Sequence, residues 1–210
     1  MEVQLSTIFF LLLSIVVIPP STTTSQSFPP TTSPAYPPLS DDGTDYIRSN
    51  CETTRYPETC FTTLSNYSTT INHNPVRLAT VAIHVALHTA THLSNYISNI
   101  SNEFDSTNTR ESAAIHDCSS VLKDAVDQIH NSQKQMRTLG WAGESLRFEL
   151  SNVQTWMSAA LTNEDTCIDG FEGLVDDDVK VDVCGRVVTV KEVTSNALAL
   201  VNRYADTVSV

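Results

Sequence analysis

Positive charge is scarce in this chain. Its 210 residues hold 12 Lys plus Arg against 24 Asp plus Glu, a formal net charge of −12. Nucleic-acid binding needs a clustered basic surface, so that class of partner is excluded. Glycine is sparser still. Gly43, Gly140, Gly143, Gly170, Gly173 and Gly185 never assemble G-x-G-x-x-G or G-x-x-x-x-G-K-S/T, so no loop of bare backbone cradles a phosphate. Proline is absent beyond Pro75, and no apolar run reaches the roughly 20 residues of a membrane span. Hydrolase signatures are missing too: Gly143-Glu-Ser145-Leu-Arg147 lacks the last glycine of a nucleophile elbow, and there is no H-E-x-x-H. No C-x-x-C pair supports a zinc framework or a redox dithiol.

What is present divides the chain in two. Thr7 to Ile18 is a twelve-residue apolar stretch followed by Pro19-Pro20 and small residues, the pattern of a secretory signal. Residues 1–25 are read as that signal, with cleavage expected within Ser21–Gln26. Residues 26–43 are read as a Pro/Ser/Thr-rich linker, too poor in apolar side chains to offset the entropy of ordering and open to O-glycans. A folded domain is expected over 44–206, with no membrane association after signal removal. The chain stops at Val210 with no adjacent basic pair after Cys184, which favours a free-standing protein over a pro-region.

Five cysteines, Cys51, Cys60, Cys118, Cys167 and Cys184, in an exported chain favour two disulfides and one leftover thiol. Composition does not choose the pairing. Cys51 and Cys60 flank a turn containing Pro57, so two short helices could bring them together; a Cys118–Cys167 bridge would clamp two long ones. Chain entropy gives roughly 2.7 kcal/mol for the short loop and about 4 for the long one. Asn66-Tyr-Ser and Asn99-Ile-Ser are candidate N-glycosylation sites, which places Asn66 and Asn99 on the surface.

Beyond residue 74 the apolar period is helical. Asn74-Pro75 supplies a cap and a first-turn proline. One-sided stripes follow: Leu78, Ala82, Val85, Thr89, Leu93, Tyr96 and Ile100; Ile115, Cys118, Leu122, Ala125 and Ile129 after a Thr109 cap; Leu146, Leu150, Val153, Met157 and Ala160; Val190, Val193, Ala197, Leu200 and Tyr204. Asp182 to Val190 is valine-rich enough for a strand, but a lone strand has no partner. The reading is all-α: a short helical hairpin over 44–70, then an antiparallel four-helix bundle over 74–206.

His84, His88 and His92, spaced i, i+4 and i+8, form a ridge bordering the first stripe. The plain reading is a solvated flank. Sharper readings are a surface metal site and a pH-sensing contact face. No metal or cofactor is expected, and the ridge stands as a candidate pH sensor. From Glu164 to Asp182 eight carboxylates face Lys180 alone, without the D-x-D-x-D-G spacing of a calcium loop. That stretch reads as a solvated connection or a docking patch for a basic protein.

Cys51-Glu-Thr-Thr-Arg-Tyr-Pro-Glu-Thr-Cys60, then Cys118, then Trp156-Met-Ser-Ala-Ala-Leu-Thr-Asn-Glu-Asp-Thr-Cys167-Ile-Asp-Gly-Phe171, and finally Thr194-Ser-Asn-Ala-Leu-Ala-Leu200 resemble the plant invertase and pectin methylesterase inhibitor family. The resemblance covers about residues 44 to 206. It implies the pairs Cys51–Cys60 and Cys118–Cys167, leaving Cys184 a thiol outside both. It also implies residence in the plant cell wall or apoplast and inhibition of an enzyme in a one-to-one complex, without catalysis by the chain itself. Invertase-blocking members carry Pro-Lys-Phe between the third and fourth cysteines, and here no proline lies between Cys118 and Cys167. Val153 to Thr162 looks instead like the pectin methylesterase branch, which makes that esterase the expected partner and invertase the alternative. Trp156, Ala159, Thr162, Asn163 and Thr166 are the candidate inhibitory contacts, with neighbouring surface of the Cys118 helix; Trp156 has core as its competing reading.

Overall fold

The computed structural model describes residues 43–104, 109–140, 142–174 and 178–208. The expected signal over 1–25, and the expected linker except Gly43, lie outside the described residues. Helix α1 (Thr44–Cys51) and helix α2 (Pro57–Leu64) form a hairpin, followed by a 3-10 turn at Ser65–Tyr67 and the single turn α3 (Ser68–Ile71). Four long helices follow: α4 (Pro75–Phe104), α5 (Arg110–Arg137), α6 (Gly143–Asp169) and α7 (Asp178–Val208). Among the described residues there is no strand, and the valine-rich segment is the first third of α7.

Local chemistry sets the boundaries. Gly43 starts α1 at φ +83°, where a Cβ is strained. Asn74 accepts the Arg77 backbone N–H at Oδ1 (3.0 Å) and caps α4 just before Pro75. Thr109 and Ser112 form a reciprocal capping box on α5, each side chain satisfying the other's backbone N–H at 3.1 Å. Asn72 and His73, both at positive φ, turn the chain from α3 into α4.

The four long helices pack in a closed ring: α4 on α5, α5 on α6, α6 on α7 and α7 on α4. Paired residues show the directions, because numbers fall on one helix as they rise on its neighbour. Ser98 meets Ser119 while His84 meets Gln133; Cys118 meets Cys167 while Ser132 meets the Val153 carbonyl. Gln154 likewise meets Asn202 while Asp165 meets Lys191. The bundle is antiparallel throughout. The stripes of α5, α6 and α7 are buried at every position named from the sequence except Trp156 and Leu161, expected to widen the α6 face, which are half-buried. On α4 the buried face is displaced from the expected stripe: Ala79, Ile83, Ala86, Ala90 and Ile97 are buried while Thr89, Tyr96 and Ile100 are half-buried, because α4 faces both α5 and α7.

Two disulfides fasten this frame. Cys51–Cys60 closes the hairpin with Cα atoms 5.5 Å apart, and Cys118–Cys167 joins α5 to α6 with Cα atoms 4.3 Å apart. Cys184 is half-buried on α7, outside both. The hairpin is held to α7 by polar bonds. Asn196 accepts the Tyr56 N–H at Oδ1 (3.2 Å) and donates from Nδ2 to the Tyr56 carbonyl (2.8 Å). Thr59 Oγ1 donates to Glu192 Oε2 (2.8 Å), and Arg203 donates to Thr53 Oγ1 (3.2 Å).

Candidate functional site

Helix α6 turns one face wholly to solvent. At 100° per residue its buried side chains Val153, Met157, Ala160, Glu164 and Cys167 lie opposite Ser151, Thr155, Ser158, Thr162 and Thr166, all exposed. This second row carries five hydroxyls and no charge. Thr155, Thr162 and Thr166 each donate the hydroxyl to the carbonyl four residues back, at 2.8, 3.1 and 2.8 Å. Those bonds fix the rotamers and turn the methyl groups outward. The result is a flat, uncharged strip about 22 Å long at 1.5 Å per residue.

The candidate contacts divide across this helix. Thr162 and Thr166 sit on the strip. Trp156, Ala159 and Asn163 are half-buried on the flank away from Gln154 and Asp165, which bond α7, and so turn towards α5. None is fully buried, Trp156 included. The strip's upstream half, Ser151, Thr155 and Ser158, was not singled out from sequence; a hydroxyl at each outward position was the available signal.

The acidic stretch does not form one surface. Glu164 is fully buried, contrary to a solvated reading, because its register continues the inward row of α6. Its Oε1 accepts from Thr194 Oγ1 (2.8 Å), while Oε2 is without a partner. Burial pushes the Glu164 carboxyl up to about 8, opposed by the Thr194 hydrogen bond. Asp165 pairs with Lys191 on α7. Asp182 accepts from Arg186 Nε at 2.9 Å and from the Tyr96 hydroxyl at 2.5 Å, and these bonds hold its carboxyl below the usual range. Asp176 and Asp177 lie outside the described residues.

The histidine ridge splits as well. All three rings are exposed, but His84 Nδ1 lies 3.2 Å from Gln133 Nε2 on α5. His88 and His92 instead line a groove of about 570 Å³ between α4 and α7, with Tyr96 and Arg186 at one end and Leu93, Val190 and Val193 along it. No cluster of three metal-ligating side chains occurs among the described residues, and no described helix is long and apolar enough to cross a membrane. Asn66 and Asn99 are exposed.

Residues 45–200 match a known family model, plant invertase/pectin methylesterase inhibitor. The chain belongs to this family. Within it, the chain is 41% identical over 177 residues to Pectinesterase inhibitor 9 of Arabidopsis thaliana, covering 82% of this chain and 87% of that protein. It is 42% identical over 162 residues to a 21 kDa protein of Daucus carota, covering 76% and 83% respectively. The crystal structure of a mutant form of a pectin methylesterase inhibitor from Arabidopsis superposes with a TM-score of 0.59 at 20% identity, covering 74% of this chain and 95% of that one. That likeness establishes the shared inhibitor-family fold.

Proposed function

We propose that the chain is a secreted inhibitor of pectin methylesterase, acting in the cell wall by a one-to-one complex and performing no catalysis. Membership of the inhibitor family, with pectinesterase inhibitors among the relatives at 37–41% identity, is the observation that carries this reading. The α6 strip is the surface that lies across the enzyme's carbohydrate groove, with Trp156, Ala159 and Asn163 along the α5 side. Its physics suits that task. Threonines already fixed by bonds to their own helix lose little side-chain entropy on docking, and an uncharged strip carries no desolvation cost for ions. A strip about 22 Å long and one helix wide covers roughly a quarter of the ~800 Å² that each partner buries in a standard interface, so the flanking surface towards α5 supplies the rest. His84 is engaged by α5, and His88 and His92 line the α4–α7 groove away from the α6 strip, so the ridge lies outside this proposed contact surface.

Titrating a plant pectin methylesterase with the protein, and following methanol release, tests this directly. Activity should fall in proportion to added protein and vanish near one equivalent. Thr162→Arg with Thr166→Arg should weaken inhibition by more than about tenfold while leaving the melting temperature unchanged, since both sites are exposed. Esterase activity that persists at excess protein, with invertase activity lost instead, would reverse the choice of target.

A further inference from the structure

The groove between α4 and α7 holds an arrangement that inhibition does not require. His88 and His92 approach edge to face with ring centroids 4.4 Å apart, and their Nε2 atoms are 3.2 Å from each other. Two imidazoles at that separation share one proton: one ring donates Nε2–H and the other offers a bare Nε2 lone pair. Both rings are solvent-exposed, so an ion can reach the pair.

We propose that His88 and His92 together bind one borderline divalent cation, Cu²⁺ most tightly and Zn²⁺ less so, with water completing the coordination. The Nε2 spacing suits a chelate, and the exposed rings need only turn to aim both lone pairs at the ion. Metal–imidazole bonds of about 2.0–2.1 Å put two nitrogens about 2.9 Å apart at a right angle and about 3.3 Å apart at the tetrahedral angle. The observed 3.2 Å lies between these limits. The cation takes the place of the shared proton and engages both lone pairs at once. Imidazole nitrogen suits copper and zinc rather than magnesium or calcium, and copper leads the divalent order. His84 takes no part, its Nδ1 being directed to Gln133.

The other charged and titratable groups of the groove are Tyr96 on α4 and Arg186 on α7, with Asp182 bound to both. Asp182 neutralises the nearby guanidinium and is already occupied, so the protein supplies two ligands and the ion exchanges freely with solvent.

Calorimetry and electron paramagnetic resonance with Cu²⁺ on the full folded chain, without any enzyme present, test the site independently of the inhibitory reading. The expected result is one equivalent bound with imidazole nitrogen in the copper spectrum. His88→Gln and His92→Gln should each weaken uptake by more than about tenfold, and His84→Gln should leave it unchanged. Unaltered uptake in the His88→Gln/His92→Gln double variant, or no uptake by the parent chain, overturns the proposal.

Discussion

Against α6, helix α7 buries one polar pair, Thr194 with Glu164, and flanks it with solvated ones, Lys191 with Asp165 and Asn202 with Gln154. Against α4, the same helix opens into a groove of about 570 Å³ lined by His88 and His92, with Arg186 and Tyr96, both bonded to Asp182, at its solvated end. The difference lies in where the polar atoms are. In the buried Thr194–Glu164 pair one carboxyl oxygen is met and Oε2 is not, so losing the remaining bond would add the full desolvation cost of the group. A pair at a solvated rim exchanges one set of hydrogen bonds for another and contributes little. One flank of α7 therefore fixes the fold, and the other is left available for ligands.

Acidity gives the widest contrast between the flanks. The folded chain keeps the Glu164 proton up to about pH 8, while the unfolded chain loses it near the ordinary value of 4.5. Folding therefore takes up a proton between those limits. The Glu164 contribution to stability is full below about pH 4.5 and is lost as pH rises through about 8, by on the order of a few kcal/mol. Denaturant melts from pH 4.5 to 8 should show that slope, and Glu164→Gln should flatten it.

Removing the partner hydroxyl is the next largest change. Thr194→Val leaves both Glu164 oxygens unmet inside the α6–α7 seam and should cost about 1–3 kcal/mol. Urea unfolding near pH 5 measures it, and a loss below a few tenths of a kcal/mol would mean that the seam relaxes around the gap. The smallest effect belongs to the open flank. Tyr96→Phe breaks the 2.5 Å bond to Asp182 at the groove's solvated end, and thermal melts should agree with the parent to within about 1 °C.

The bundle was legible because four apolar stripes at helical spacing need only be counted, and a valine-rich segment without partner strands was correctly read as helical. Glu164 was misplaced by its chemistry, since a carboxylate within an acidic stretch suggests solvent; its register with Met157, Ala160 and Cys167 said otherwise. Thr194 and Asn196 stood inside a recognised motif, yet their partners, Glu164 and Tyr56, are 30 and 140 residues away. Nothing local encodes such a pairing. Equal spacing also concealed the divided ridge. Sequence places His84, His88 and His92 on one line of α4, but only side-chain rotation shows that the first turns to α5 and the others to each other.

The anchoring of the hairpin has a consequence for how the chain assembles. Thr53, Tyr56 and Thr59 are among the earliest folded-domain residues to be made, yet Arg203, Asn196 and Glu192, which hold them, belong to the last helix. During synthesis the Cys51–Cys60 loop can close as soon as its nine-residue separation emerges. Its seat on the bundle does not exist until α7 follows. The first piece built is the last to be locked in place.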